Sequence, residues 1–121
     1  MVLANKEELT VFDGAIGTEV QKRAPNSEYD LTEIFNLTRP ELIKNIHQDY
    51  LSAGAQVLTT NTFSANELRL AKSDHGDKLL EINEKGSNLA RQAIEDFSDQ
   101  PEKFSVAGSI GPTGETLIPL G

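Results

Sequence analysis

The sequence predicts an α/β fold made of parallel β/α units, and three observations predict it. Short apolar and β-branched runs alternate with longer segments of helical period, helix-start patterns stand at the junctions, and each apolar run ends in polar or glycine residues. Strands that are each followed by a helix pair in parallel through right-handed crossovers, which argues against sandwiches and bundles.

The elements follow in chain order. Val11 and Phe12 suit a buried strand that breaks into Asp13-Gly14-Ala15-Ile16-Gly17-Thr18-Glu19. Asp13 puts a negative charge at the strand end, while Gly14 and Gly17 let backbone N–H groups approach an anion without Cβ atoms in the way. That turn suits a ligand carrying both charges, such as an amino acid. It equally suits an ordinary strand-to-loop turn in which Asp13 caps backbone donors. Glu19 serves either a ligand or a helix cap.

A polar loop is expected from Gln21 to Asn36, around Pro25, Asn26 and Ser27. Thr38-Arg39-Pro40-Glu41 then reads as a capping box that opens a helix running to about Ala53. Leu42, Ile43, Ile46, Tyr50 and Ala53 recur on one of its faces, and Gly54 stands where a left-handed C-terminal residue is wanted. Val57 to Phe63 suits a second buried strand with a polar end. Ser64 and Glu67 form a second capping-box pattern for a short helix to about Lys72, which Ser73-Asp74-His75-Gly76 breaks. Between about Asp77 and Asp96, Leu79, Ile82, Gly86, Leu89, Ala90, Ala93, Ile94 and Phe97 make a helical stripe in which Gly86 permits close packing. Pro101 closes that helix. Phe104 to Ser109 reads as a third strand, left by the loop Ile110-Gly111-Pro112-Thr113-Gly114.

In parallel β/α architectures ligands sit at the carboxyl ends of the strands. The three ends here carry Asp13 and Gly14, then Asn61 and Thr62, then Ser109 and the loop to Gly114, and together they define one candidate face.

Composition limits the functional classes. The chain has 121 residues, a size that suits one small domain or a piece of a larger one. Hydrophobic residues make up 37%, low for a deeply buried parallel core when average chains hold about 45–50%. A net charge of −8, from 11 Lys plus Arg against 19 Asp plus Glu, argues against nucleic acid and anionic membranes as partners. There is no cysteine, so this chain has no disulfide, thiolate ligand or cysteine nucleophile. Met1 to Lys6 does not read as a secretory signal, and no apolar run approaches a membrane span, so a cytoplasmic location is expected.

Five segments together carry a family resemblance: Asp13-Gly14-Ala15-Ile16-Gly17-Thr18-Glu19; Arg39-Pro40-Glu41-Leu42-Ile43 with His47 and Tyr50; Ala53-Gly54-Ala55; Thr60-Asn61-Thr62-Phe63; and Gly108-Ser109-Ile110-Gly111-Pro112-Thr113-Gly114-Glu115. From about Val11 to Gly121 the chain resembles the homocysteine S-methyltransferase family, and within it the homocysteine-binding domain at the start of cobalamin-dependent methionine synthases. The resemblance implies that residues 1–121 are the first three units of a TIM (β/α)8 barrel, an incomplete part of a domain of roughly 250 residues. It also implies homocysteine as substrate, zinc that holds its thiolate, and methylcobalamin as methyl donor. Asp13, Gly14 and Ala15 then line the amino-acid end of the substrate pocket, with Asn61 and Thr62 on the neighbouring strand and Ser109 with Gly111 to Gly114 at the rim.

The family's zinc ligands are three cysteines, in a Gly-x-Asn-Cys-like and a Gly-Gly-Cys-Cys-like segment, and this chain contains neither segment. His47, in a helix beside its apolar stripe, and His75, in a loop, read as packing and solvated residues rather than replacement ligands. The isolated chain is accordingly expected to be catalytically inactive. Its unpaired strand edges and bare apolar faces predict self-association.

Two other readings are open at this stage. One is a small non-catalytic module that binds an amino-acid-like zwitterion through the Asp13 turn. The other is a doubly wound nucleotide-binding domain, which lacks the required Gly-x-Gly-x-x-Gly loop after a strand.

Overall fold

A computed structural model describes residues 9–26 and 31–117. Met1 to Lys6 and Ser27, read above from sequence, lie outside the described residues. The element order is α1 (Gly17–Arg23), α2 (Phe35–Thr38), α3 (Pro40–Ser52), β1 (Val57–Thr59), α4 (Glu67–Lys72), α5 (Leu79–Phe97) and β2 (Ser105–Ala107), with single 3-10 turns at Thr32–Ile34, Gly76–Lys78 and Pro101–Lys103.

The strands are parallel. β1 pairs with β2 in the register Val57 to Ser105, Leu58 to Val106 and Thr59 to Ala107. On its other side Val57 forms a parallel bridge to Phe12, secured by Asp13 N–H to Val57 O at 3.0 Å and Val57 N–H to Val11 O at 3.2 Å. The three strand segments therefore stand side by side in chain order, with β1 in the middle. The first is shorter and less buried than its sequence suggests: Val11 and Phe12 are 48% and 47% exposed, because no described segment covers their other edge.

Helices α3 and α5 cover one face of β1. The α5 stripe runs as its period predicts over Ile82, Gly86, Leu89, Ala90, Ala93 and Ile94, which are buried, but its last member, Phe97 at the helix end, is 42% exposed and meets Phe104 edge-to-face. It packs on α3, whose Ile43, Ile46, His47 and Leu51 are buried. Leu51, Leu58, Ala90, Ala93 and Ile94 form one apolar cluster between sheet and helices, and Ile16, Val20, Phe35, Ile43, Ile46 and Leu89 form another beneath the first loop. Each fully buried Ile or Leu contributes about 1.5–3 kcal/mol over exposure. The Lys44–Asp96 ion pair joins the surfaces of α3 and α5.

Several local expectations need correction. The segment Gln21 to Asn36 is not simply a loop, since it contains the end of α1, a 3-10 turn and the start of α2. The Thr38–Glu41 capping box does not form. Thr38 is the last residue of α2, and its Oγ1 donates back to Ile34 O at 3.4 Å, leaving Arg39 as an N-cap without a side-chain hydrogen bond. Pro40 still occupies the first turn of α3, where its missing N–H costs nothing. The cap of α4 is Asn66 rather than Ser64, with Oδ1 accepting from Arg69 N–H at 2.9 Å, because Ser64 is held by Glu33 instead. Gly54 has φ +111°, the left-handed conformation its position after α3 requires.

Candidate functional site

The carboxyl ends of the three strand segments surround a cavity of about 380 Å³. Gly14, Ala15, Ile16 and Gly17 come from the turn after Phe12, Thr59 to Asn61 with Phe63 and Ser64 from the end of β1, Ser109 from the end of β2, and Leu31 to Glu33 from the turn before α2. Of the five residues expected to bind substrate, Gly14, Ala15 and Asn61 line this cavity, and Asp13 and Thr62 adjoin residues that do without lining it themselves.

Asp13 clasps two strands. Its Oδ2 accepts from the Thr59 amide at 2.9 Å and its Oδ1 from the Thr59 hydroxyl at 3.0 Å. Burial raises the Asp13 pKa above its ordinary 3.8, against the lowering effect of the Thr59 hydrogen bonds. The following residues are pressed onto α3: a Cβ on Gly14 would lie 2.9 Å from the Tyr50 hydroxyl oxygen, and that hydroxyl donates to Ala15 O at 2.7 Å. A side chain at Gly14 would therefore have to displace the Tyr50 hydroxyl. A Cβ on Gly17, which also lines the cavity, would meet no protein atom within 4 Å.

Asn61 belongs to a buried amide pair. Its Nδ2 donates to Thr32 O at 3.0 Å and to Asn36 Oδ1 at 2.9 Å, while Asn36 Nδ2 donates to Asn61 O at 2.8 Å and to Ile82 O at 3.1 Å. Gly86 of α5 makes room for this pair, because a Cβ there would lie 2.7 Å from Thr62 Cγ2 and 2.9 Å from Asn36 Nδ2.

Thr62 closes a hydroxyl circuit with Thr60. Thr62 Oγ1 donates to Ser109 O at 2.8 Å, the two threonine hydroxyls meet at 2.6 Å, and Ser109 N–H donates to Thr60 Oγ1 at 3.0 Å. The Thr62 proton is committed to a carbonyl, so the Thr60 hydroxyl donates to Thr62. This circuit ties the end of β2 to the end of β1. The loop beyond packs tightly too, since a Cβ on Gly111 would lie 2.4 Å from Phe63 O.

Glu33, Thr32, Ser64 and Asn36 contribute to the site, and none of them reads from the sequence as a site residue, Ser64 having read as a helix cap. Glu33 is buried, lines the cavity, and accepts from the Ser64 amide through Oε2 at 3.1 Å. The spacing of Leu31, Ile34 and Phe35 was the available signal that its segment turns and buries one face.

The fit to a metal is poor. Among the described residues no group of three His, Cys, Asp or Glu side chains could hold a metal ion. His47 is wholly buried with neither ring nitrogen hydrogen-bonded, and burial depresses its pKa from 6.5 to about 4. His75 lies in the turn between α4 and the 3-10 turn at Gly76–Lys78.

Comparison with known proteins agrees with this geometry. The homocysteine S-methyltransferase family model matches residues 10–121. The methionine synthases of Mycobacterium tuberculosis and Mycobacterium leprae are each 35% identical over 95% of the chain, which spans 10% of their length. Among solved structures, the metallated form of the homocysteine methyltransferase MmuM from Escherichia coli superposes with a TM-score of 0.78 at 32% identity, over 90% of this chain and 40% of that one. The apo form of the same enzyme gives a TM-score of 0.65 at 34% identity, over 93% of this chain and 40% of that one. The chain, with its parallel strand ends gathered around one polar cavity, belongs to the homocysteine S-methyltransferase family.

Proposed function

We propose that these residues are the first part of a TIM (β/α)8 barrel in which homocysteine is bound and methylated on sulfur to give methionine, in the manner of methionine synthase. The observation that carries this reading is the cavity itself. Its walls are the carboxyl ends of consecutive parallel strands, where barrel enzymes bind their substrates, and a family match extends across all three. Its volume falls in the range of small-molecule sites, about 300–1,000 Å³.

In this reading Gly14 and Ala15 present the backbone that receives the amino-acid end of homocysteine, and Asn61 forms the adjoining wall. Asp13 and Thr62 hold the strand ends in register through Thr59 and Ser109. The described residues do not fit zinc, so no step is assigned to a metal on them. Zinc, methylcobalamin and the thiolate chemistry are proposed for the rest of the protein, given that the chain spans 40% of its structural neighbours and 10% of the methionine synthases it matches. A cytoplasmic setting is proposed with them, and no described helix is long and apolar enough to cross a membrane.

The test is methyl transfer. The complete protein, supplied with zinc, homocysteine and methylcobalamin, is expected to form methionine, whereas the 121-residue chain under the same conditions is expected to form none. A complete protein that leaves homocysteine unmethylated with corrinoid, folate and sulfonium donors alike overturns the reading.

A further inference from the structure

The turn after Phe12 is held from the α3 side by a single hydroxyl. Gly14, Ala15, Ile16 and Gly17 line the cavity, and Tyr50 does not. The Tyr50 ring lies against Gly14, with its hydroxyl oxygen, Cε1 and Cζ at 2.9, 3.1 and 3.3 Å from where a Gly14 Cβ would stand. Its hydroxyl donates to Ala15 O at 2.7 Å. That carbonyl precedes the hydrogen-bond ladder of α1, which begins with Val20 N–H to Ile16 O at 2.9 Å, so among the described residues Tyr50 is its donor.

Anchoring this carbonyl fixes more than one atom. In a trans peptide the C=O and N–H point in opposite directions, so holding Ala15 O on α3 holds the Ile16 N–H on the far side of the same plane. Gly14, just before it, adds soft backbone dihedrals and no stiffness. A second tie joins α1 to α3, the Arg23–Asp49 ion pair at 2.7 Å, but it grips the last residue of α1 rather than the turn, and exposed pairs of this kind contribute little. Burial, with the charges of Glu19 and Asp13 adding to it, raises the Tyr50 pKa above its ordinary 10. The hydroxyl therefore keeps its proton at neutral pH and remains a donor.

Resting on the homocysteine reading above, we propose that Tyr50 is a positioning residue of the site: from outside the cavity its hydroxyl fixes the orientation of the Ala15–Ile16 peptide, and so sets how tightly homocysteine binds without taking part in methyl transfer. Tyr50 acts through Ala15 and touches no part of the ligand.

The test compares the complete wild-type protein with two variants. Tyr50→Phe keeps the ring on Gly14 and removes only the hydroxyl, whereas Asp49→Asn breaks the ion pair to Arg23 and leaves the turn alone. Homocysteine binding is measured by titration calorimetry, and kcat for methyl transfer is measured at saturating homocysteine. Tyr50→Phe is expected to weaken homocysteine binding roughly 3- to 10-fold, the share of one hydrogen bond, with kcat within about twofold of wild type. Asp49→Asn is expected to keep its homocysteine affinity within about twofold. Unchanged affinity in Tyr50→Phe, or equal losses in the two variants, overturns the Tyr50 assignment and leaves the homocysteine reading standing. A fall in kcat at unchanged affinity overturns it as well. A wild type that does not bind homocysteine overturns both.

A second readout needs no variant. In the wild-type protein, hydrogen–deuterium exchange of residues 14–17 is expected to slow when homocysteine saturates the site, because a peptide whose orientation governs binding is tightened by the ligand. Exchange that is the same with and without homocysteine overturns the assignment.

Discussion

Asn36 and Asn61 hold each other across the junction of α2 and the end of β1: Asn36 Nδ2 donates to Asn61 O at 2.8 Å, and Asn61 Nδ2 donates back to Asn36 Oδ1 at 2.9 Å. Both residues are nearly without exposure, so water cannot replace a lost partner. Replacing Asn36 by the similarly sized Leu strips a donor from Asn61 O and from Ile82 O and an acceptor from Asn61 Nδ2. At about 1–3 kcal/mol for an orphaned buried group, partly relieved by relaxation, Asn36→Leu should destabilise the fold by about 2–4 kcal/mol. Urea unfolding checks this, and a loss below about 1 kcal/mol would show that the pair is not a structural support.

Gly86→Ala should invert the usual helix rule. In a helix interior Ala exceeds Gly by about 1 kcal/mol, yet the new methyl would sit 2.7 Å from Thr62 Cγ2 and 2.9 Å from Asn36 Nδ2. Overpacking of this kind costs about 1–3 kcal/mol, so the substitution should lower thermal stability. A higher Tm for Gly86→Ala would mean that α5 can shift away from the site freely.

His47 should make the fold acid-sensitive. Burial holds its pKa near 4 when folded against 6.5 as the ordinary value, so between those values the unfolded chain binds the proton that the folded chain refuses. Stability is therefore full above about pH 6.5 and falls as pH drops toward 4, by about 3 kcal/mol at about 1.4 kcal/mol per unit. Asp13 works in the other sense: its raised pKa makes the folded state the better proton binder, so its contribution is lost as pH rises above 3.8. The measurement is thus the difference between wild type and His47→Leu by chemical denaturation at pH 7 and pH 4.5. The Leu variant should be as stable as wild type or about 1–2 kcal/mol more so at pH 7, since it removes two unpartnered buried nitrogens. It should also lose most of the acid slope. An unchanged slope would place the acid sensitivity elsewhere.

Self-association is expected of the chain on its own. Among the described residues the outer edge of β2 has no partner strand, and Leu9, Ile110 and Leu117 are 90%, 94% and 86% exposed. Unpaired parallel edges beside bare apolar groups favour association. Sedimentation velocity should show concentration-dependent growth at micromolar protein, and a single monomeric boundary across that range would count against it.

The order of elements and their direction were legible in the sequence because they rest on local periodicity. The α5 stripe, the left-handed Gly54 and the polar ends of Val57 to Phe63 and Phe104 to Ser109 each depend on near neighbours in the chain. The family was legible for the same reason, as a succession of short segments. Tertiary contacts decided the rest. Thr38 and Ser64 fit capping boxes locally, but Thr38 was absorbed into α2 and the Ser64 amide went to Glu33, a residue 31 positions away. Asp13 had the chemistry of a ligand-binding acid; its use as a clasp depends on Thr59, 46 positions distant. Glu33 gained its place only when the segment before α2 folded against the end of β1. Spacing can show which residues share a helix face, but which carboxylate faces a cavity and which is spent on a neighbouring strand depends on pairings that a local pattern does not encode.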